Sequence, residues 1–188
     1  GSGGAVWLDA GTLAGAGTVS ANGGNAGNQG GGGGGGGGRI ALFYTTDSST
    51  IARQAIGGLL SNVNAFAQDG GAGTIYVKSA AQTNGDLVVD NNNRTSSGYT
   101  TQATTASQTY DNVTIRNGAK YVIPNTFTLA VAPTGAFTGG GTQRPSLTTN
   151  SGGTFNPPTA TITFSSIDVT NGGTVGVVTG LTLSNSIF

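Results

Sequence analysis

Two aspartates, Asp86 and Asp90, are the only carboxylates that lie close together in the sequence. A pair of carboxylates is what most glycosidases use to cleave a glycosidic bond. On a strand, residues four positions apart share a face but lie roughly 13 Å apart, too far for a retaining pair and beyond the usual inverting separation. We therefore predict no catalytic residues and no enzyme activity. A polysaccharide-degrading enzyme is the remaining catalytic alternative, if the fold brings other aspartates together.

The run Asp90-Asn91-Asn92-Asn93 supplies oxygen atoms of the kind that bind calcium. It lacks the spaced acidic residues of a calcium-binding loop, so we interpret it as a turn that ends a strand, with asparagines in the left-handed conformation. The chain contains no His, no Cys and no Glu. Nucleophiles that depend on His or Cys, and zinc sites, are thereby excluded. We expect no metal and no cofactor.

The charge content of the chain restricts its partners. Only 7% of the 188 residues are charged, and the formal net charge is zero. Attraction to nucleic acid or to an anionic membrane surface therefore has no electrostatic source, and we expect neither as a partner. No apolar stretch is long enough to cross a bilayer, so membrane insertion is not expected.

The elements that would position these residues repeat along the first part of the chain. Strand-like segments recur around Val6, Ile40 and Ile75, at offsets of 34 and 35 residues. Apolar residues alternate in each segment, as half-buried strands require. A second set of strands aligns more loosely around Val19, Ile51 and Leu87. Short units that repeat in this way stack on their neighbours.

A second repeat covers the C-terminal part, where the segment 111–129 matches the segment 165–183. The turn pairs Asn117-Gly118 and Asn171-Gly172 coincide, and both residue types tolerate positive φ. Six apolar positions also coincide: Val113 with Ile167, Ile115 with Val169, Tyr121 with Val175, Ile123 with Val177, Phe127 with Leu181, and Leu129 with Leu183.

Aligned apolar columns of this kind predict an all-β fold, a parallel β-helix (β-solenoid) in which like positions of successive turns stack. An antiparallel sandwich is the structural competitor, because Asn-Gly favours hairpins. We predict glycine-rich solenoid repeats over 1–93, a polar loop over 94–110, and a continuation of the solenoid with the 54-residue repeat over 111–188.

The nine-residue glycine run at 30–38 has two interpretations. It could be a flexible linker, because polyglycine loses the most backbone entropy on ordering. Alternatively, glycine segments before each core strand, at 1–4, 23–38 and 70–73, could pack together as extended chains, because backbones without side chains approach closely. We favour packing, and expect the polyglycine segment to lie against the solenoid.

Three aromatic residues, Trp7, Phe43 and Tyr76, fall near one position of the repeat and on the outer face of their strands. A column of exposed aromatics would form a strip that stacks on sugars or a lateral contact surface. The alternative, which we favour, is that a second layer such as the glycine segments covers them.

Four segments carry a resemblance to a known group of proteins. They are GGAVWLDAGTLAGAGTVSANGG, GGGGGGGRIALFYT, GGAGTIYVKS and DNVTIRNGAKYVIP. These resemble glycine-rich repeats of very large bacterial surface proteins, which are similar to right-handed parallel β-helices. The resemblance implies that architecture and an extracellular or cell-surface location, and no catalytic residue carries over. A weaker likeness is to glycine-rich adhesins at the tips of tailed phages.

We accordingly expect an extracellular structural or adhesive β-solenoid, a subunit or segment of a surface filament or matrix. Strand edges at both ends of the sequence lack the charges and prolines that block pairing, so self-association, end to end or laterally, is the expected partnership. The alternative is a receptor- or glycan-binding adhesin tip of a phage or bacterium. It would recognise a glycan or another cell-surface ligand through the loops 94–109 and 139–158.

Overall fold

A computed structural model describes residues 1–27, 32–60, 67–101, 107–158, 167–169 and 174–175. The protein is all-β over these residues, which include no helix and so none that could cross a membrane. The strands are β1 (Ala5–Leu13), β2 (Ala16–Ser20), β3 (Arg39–Asp47), β4 (Thr50–Gln54), β5 (Thr74–Ser79), β6 (Asp86–Asp90), β7 (Thr100–Thr101), β8 (Ser107–Arg116), β9 (Lys120–Ile123), β10 (Thr128–Gly140), β11 (Ser146–Thr149), β12 (Thr154–Asn156), β13 (Ile167–Val169) and β14 (Thr174–Val175).

These strands form three sheets. A mixed sheet of eight strands has the order β1-β3-β5-β6-β8-β10-β12-β14, a second sheet has the order β13-β11-β9-β7, and β2 pairs with β4. Neighbouring strands run parallel in every described pair except β5 with β6. Parallel neighbours cannot be joined by tight hairpins, so the chain leaves each sheet and returns to it.

The 34- and 35-residue offsets predicted the register of the first three strands correctly. Val6 lies beside Ile40, and Ile40 lies beside Ile75. The second strands do not follow the predicted columns, because Val19 lies beside Arg53. Leu87 lies in β6 of the eight-stranded sheet, whereas Ile51 lies in β4 of the two-stranded sheet, so these two strands do not pair. The repeat therefore holds for one strand of each unit and not for the other.

The strand direction reverses between β5 and β6. Gly85 has a φ of 78°, and the turn before it is held by Asp111, whose carboxylate accepts hydrogen bonds from the backbone N–H groups of Asn84 and Gly85. The strands that follow in this sheet, β6, β8, β10, β12 and β14, are parallel to one another and antiparallel to β1, β3 and β5. The predicted division at residues 93 and 110 stays a prediction.

The predicted stacking of the segment 111–129 on 165–183 is wrong where it can be checked. Val113 lies beside Leu87 and Phe137 in the eight-stranded sheet. Ile167 lies beside Leu147 in the second sheet, and Leu147 lies beside Tyr121. An intermediate pass through β10 and β11 separates the two halves of the sequence repeat. Val177, Leu181, Leu183 and the pair Asn171-Gly172 lie outside the described residues.

The pair Asn117-Gly118 has positive φ at both residues, 56° and 79°, as the sequence predicts. It does not form a hairpin. The strand before it, β8, belongs to the eight-stranded sheet, and the strand after it, β9, belongs to the second sheet. The turn is therefore a corner between two sheets.

The buried apolar residues form two clusters. The first contains Ile40, Leu42 and Ile75 together with two alanines, Ala21 and Ala55. The second is larger and contains Ala72, Leu87, Val89, Val113, Ile115, Ala119, Tyr121, Ile123, Leu129, Val131, Phe137, Leu147 and Phe155. Three alanines of these clusters, Ala21, Ala55 and Ala72, lie in glycine-rich segments outside the strands, so those segments contact both clusters.

Six such segments, 1–4, 21–27, 32–38, 55–60, 67–73 and 94–99, pack against one another, and we call them the glycine layer. A relay of backbone hydrogen bonds crosses five of them. The N–H of Gly70 donates to the carbonyl of Gly58, Gly58 donates to Gly35, Gly35 to Gly24, and Gly24 to Gly1, at N···O distances of 2.7–2.9 Å. Such chains polarise one another, and each bond strengthens the next.

Glycine is required in this layer because of space. A Cβ at Gly35 would overlap the carbonyl oxygen of Gly1, one at Gly58 that of Gly24, and one at Gly70 that of Gly35. None of these three has a φ in the left-handed region. An alanine would therefore fit the backbone angles and still be excluded by neighbouring backbone.

Part of the predicted polar loop, the segment 94–99, packs within the glycine layer. Ser96 is 4% exposed, and its Oγ donates to the carbonyl of Asp69. Gly98 lies so close to Gly71 that a Cβ on Gly71 would come within 2.9 Å of it. Thr100, at the start of β7, donates from its Oγ1 to the carbonyl of Ala72. The chain therefore enters the layer here without a glycine run.

Candidate functional site

Four aromatic rings form a continuous row on the eight-stranded sheet. Trp7 and Phe43 have ring centroids 4.5 Å apart, Phe43 and Tyr76 5.6 Å, and Tyr76 and Tyr110 6.1 Å. The first three rings come from β1, β3 and β5, on the face opposite Val6, Ile40 and Ile75. We call these four residues the aromatic row.

The prediction that a second layer covers these aromatics is wrong for Trp7, whose side chain is 73% exposed. Phe43, Tyr76 and Tyr110 are half-buried. The alanines of the glycine layer that are nearest the first three strands, Ala21 and Ala55, belong to the cluster on the other face. The row is therefore a surface feature.

The sequence revealed three members of the row and missed the fourth. Tyr110 lies on β8, where the pairing with β10 is irregular between Val131 and Ala136. Because of this irregularity, the position of Tyr110 does not follow any fixed repeat. Its contact with Tyr76 also depends on the reversal between β5 and β6, which the spacing of apolar residues did not indicate.

Next to the inner end of the row lies an open cleft of about 290 Å³, which we call the tyrosine cleft. Its lining includes three tyrosines and three uncharged polar side chains: Tyr76, Tyr110, Tyr121, Asn84, Gln108 and Thr109. A second groove of about 360 Å³ lies beside Phe43 and contains two charged residues, Asp9 and Lys78.

The two tyrosine hydroxyls at the mouth of the cleft are fixed by the protein. Tyr76 donates to the carbonyl of Asn84 at 2.6 Å, and Tyr110 donates to Oε1 of Gln108 at 2.7 Å. Burial, with a smaller contribution from Tyr76, raises the pKa of Tyr110 to about 12. Burial, together with the negative charges of Asp111 and Asp86, raises the pKa of Tyr76. Both side chains therefore stay neutral at physiological pH, with an oxygen lone pair left to accept.

Asp111 holds Asn84, one of the residues that line the cleft. Burial acts to raise the pKa of this carboxyl, but hydrogen bonds from Asn84, Gly85 and Thr83 outweigh burial and lower it. The ionised carboxylate holds the backbone and side chain of Asn84, whose carbonyl in turn holds Tyr76. Asp111 is thus a positioning residue of the turn.

The aspartates that the sequence singled out are engaged within the fold. Asp86 accepts a hydrogen bond from Asn112, and Asp90 accepts from Arg116 and Asn117. The described residues contain no group of three or more acidic, His or Cys side chains that could hold a metal.

The run 90–93 is a turn, as predicted. Asn92 and Asn93 have φ values of 51° and 58°. Asn91 is completely buried and points into the glycine layer, where its Oδ1 accepts from the N–H of Gly57 and its Nδ2 donates to the carbonyl of Gly70. The sequence did not indicate this bridge, because all three asparagines look alike in a turn.

The segments predicted as recognition loops include buried residues and strands where the structure describes them. Residues 94–99 lie in the glycine layer. The segment 139–158 contains β11 and β12, with Leu147 and Phe155 fully buried in the second cluster. Residues 102–106 lie outside the described residues.

Comparison with family models, with curated protein sequences and with solved structures finds no match to this chain. The resemblance to bacterial glycine-rich surface repeats therefore stays a prediction. What the geometry offers chemically is stacking on aromatic rings and hydrogen bonding to uncharged groups.

Proposed function

We propose that the chain is a segment of a parallel β-solenoid that acts as a structural or adhesive rod in an extracellular filament or matrix. The observation that carries this proposal is the in-register, parallel pairing of strands from successive passes, of which Val6, Ile40 and Ile75 are one column. The glycine layer beside it ties the passes together by backbone hydrogen bonds. The extracellular setting rests on the resemblance to surface repeats.

The proposed role is mechanical and includes no catalytic step. A stack of strands joined by backbone hydrogen bonds resists bending and extension, and a layer of close-packed backbones adds stiffness beside it. The low charge content removes the repulsion that would keep neighbouring rods apart.

Self-association through β1 is part of this proposal. Among the described strands, β1 has one partner, β3, so the backbone groups on its other edge face outward over nine residues. Edge strands of monomeric proteins usually carry lysine, proline or a bulge that prevents pairing. The only charge in β1 is Asp9, and the strand contains no proline.

Negative-stain electron microscopy of the purified protein tests the proposal, and we expect fibres with a fixed axial repeat. Gly11→Lys should disperse them, because Gly11 is an exposed position of β1 with free space around it, and a lysine there opposes edge pairing. The matched control is Gly140→Lys, which adds the same charge at a position with free space at the end of β10.

The proposal fails if the wild-type protein remains monomeric over the accessible concentration range by sedimentation velocity. It fails equally if Gly11→Lys forms fibres as readily as the wild type and the control Gly140→Lys do.

A receptor- or glycan-binding role is the second candidate. The observation that favours it is the exposed aromatic row, which a purely mechanical rod does not need. The two roles are compatible, because the row lies on a face of the sheet and the proposed association uses its edge.

A further inference from the structure

We propose that the aromatic row and the tyrosine cleft together bind a neutral oligosaccharide, with the sugar rings lying along the row and one end entering the cleft. This inference goes beyond the scaffold role and does not depend on it, because the row and the cleft are built from side chains of a single chain.

The row supplies the stacking surface. Four rings in succession, from Trp7 to Tyr110, form an apolar strip on one face of the eight-stranded sheet. Trp7, at its outer end, is 73% exposed, so one ring face is open to a ligand. Aromatic rings paired with a few fixed polar groups are the usual lining of sites for small organic ligands.

The hydrogen bonds already made in the cleft restrict the ligand. Tyr76 and Tyr110 each donate their hydroxyl proton to an acceptor within the protein, Asn84 O and Gln108 Oε1. A ligand therefore meets these two oxygens as acceptors and must bring donors of its own. Sugar hydroxyls are such donors, whereas ionised carboxylates and phosphodiesters offer acceptors only.

The charge of the cleft also favours a neutral sugar as the ligand. None of its lining residues carries a formal charge at neutral pH, because all of them are tyrosines, uncharged polar residues or leucine. An anionic sugar would find no cation there, and Asp111 and Asp86 lie close enough to Tyr76 to affect its pKa. A neutral saccharide avoids this repulsion. A nucleic acid strand would also stack on the rings, but it would need basic side chains for its phosphates.

Trp7 is the only tryptophan, so its fluorescence reports on the row directly. We would titrate the full chain with soluble neutral hexasaccharides of β-1,4-linked glucose, β-1,4-linked N-acetylglucosamine, α-1,4-linked glucose and β-1,4-linked mannose. The expected result is a saturable change in Trp7 emission with at least one of them, and none with oligogalacturonate, which is anionic.

Two variants that retain Trp7 define the site. Phe43→Ala removes the second ring of the row and should weaken binding about tenfold, the effect of losing roughly one stacking contact. Tyr76→Phe keeps the ring but removes the acceptor oxygen, and should weaken binding severalfold. Circular dichroism of each variant shows whether the sheet is intact.

The matched control is Tyr99→Ala. Tyr99 is also an exposed aromatic, at 63%, but it lies at the end of the last segment of the glycine layer, near Lys120 and outside the row. It should leave the affinity unchanged.

Three results would overturn the inference. One is the lack of any emission change with all four neutral hexasaccharides at millimolar concentration. Another is a failure of the variants to map binding to the row, seen either as equal affinity of wild type and a folded Phe43→Ala variant or as equal weakening by Phe43→Ala and Tyr99→Ala. The third is a shift of Trp7 emission with protein concentration in the Gly11→Lys variant, in which edge pairing of β1 is opposed, because this would mean that a second copy of the chain covers the row. Fibre formation is measured separately, so failure here leaves the scaffold proposal standing.

Discussion

Tyr76 and Leu87 lie directly opposite each other across the antiparallel pair of β5 and β6. Opposite residues share a face of the sheet, yet Tyr76 belongs to the outer aromatic row and Leu87 is 2% exposed in the second apolar cluster. Their neighbours Ile75 and Val88 also lie opposite each other, and both pack with the first cluster. The two clusters therefore lie on opposite faces of one continuous sheet, and the reversal at β5 and β6 is where the buried face changes.

The reversal depends on Gly85, and its replacement tests this. Gly85 has a φ of 78°, and a Cβ there would come within 2.7 Å of the Tyr76 hydroxyl. We expect Gly85→Ala to lower the free energy of unfolding by about 2–4 kcal/mol, from left-handed backbone strain together with overpacking. Urea unfolding followed by circular dichroism measures it.

The control for this variant is Gly15→Ala. Gly15 has a similar φ of 83°, but no atom lies within 4 Å of a Cβ placed there. Its cost should be the backbone strain alone, about 1–2 kcal/mol. Equal losses in the two variants would contradict a steric role for the Tyr76 ring at the reversal.

The glycine layer makes a second prediction. Gly70→Ala places a methyl group against the carbonyl of Gly35 and breaks the relay of hydrogen bonds, so we expect a loss of about 3 kcal/mol or more in urea unfolding. Gly27→Ala is the matched control in the same layer, because nothing lies within 4 Å of its Cβ and its φ is not left-handed. It should be neutral or stabilise by up to about 1 kcal/mol. A neutral Gly70→Ala would mean that the layer is not close-packed in solution.

Much of the first sheet could be predicted from the sequence because its determinants are local. Alternation around Val6, Ile40 and Ile75 fixes which face each strand buries, and the nearly equal offsets of 34 and 35 residues indicate the register. The positive φ of Asn117 and Gly118 follows from the residue types alone.

The candidate site could be predicted only in part because its remaining determinants are distant in sequence. The turn that reverses the sheet is held by Asp111, which lies 27 residues after Asn84. The irregular pairing at Val131 moves Tyr110 out of any fixed repeat. The C-terminal sequence repeat predicted the wrong strand register. Its two halves are separated by two passes of the chain that differ in length, one from Tyr121 to Leu147 and one from Leu147 to Ile167.

Asn91 connects the strands to the glycine layer, and its truncation should be costly. Asn91→Ala leaves the N–H of Gly57 and the carbonyl of Gly70 without their side-chain partner in a buried site, at about 2–4 kcal/mol. Hydrogen exchange should then rise first at Gly57 and its neighbours in the layer. Asn92→Gly is the control, since Asn92 is exposed at a φ of 51° that glycine adopts freely, and a change within about 0.5 kcal/mol is expected. Similar losses in both variants would show that the turn, and not the bridge, is what matters.

The raised pKa of Tyr110 predicts a loss of stability at alkaline pH. The ordinary tyrosine pKa is 10.0 and the folded value is about 12, so between these values the unfolded chain has lost a proton that the folded chain keeps. The free energy of unfolding therefore falls as pH rises through this window and is unaffected well below pH 10. For Tyr110 the full loss is roughly 3 kcal/mol, from two pKa units at about 1.4 kcal/mol each.

Tyr110→Phe removes this contribution. The variant loses the hydrogen bond to Gln108, at about 1 kcal/mol, at every pH. Its unfolding free energy should then decline less steeply than that of the wild type above pH 10, while the two profiles run parallel from pH 7 to 9. Tyr76 and Tyr121, whose pKa values are also raised, remain in both proteins, so the variant keeps a residual alkaline slope. Profiles that stay parallel up to pH 11.5 would show that Tyr110 is not shielded from water by the cleft.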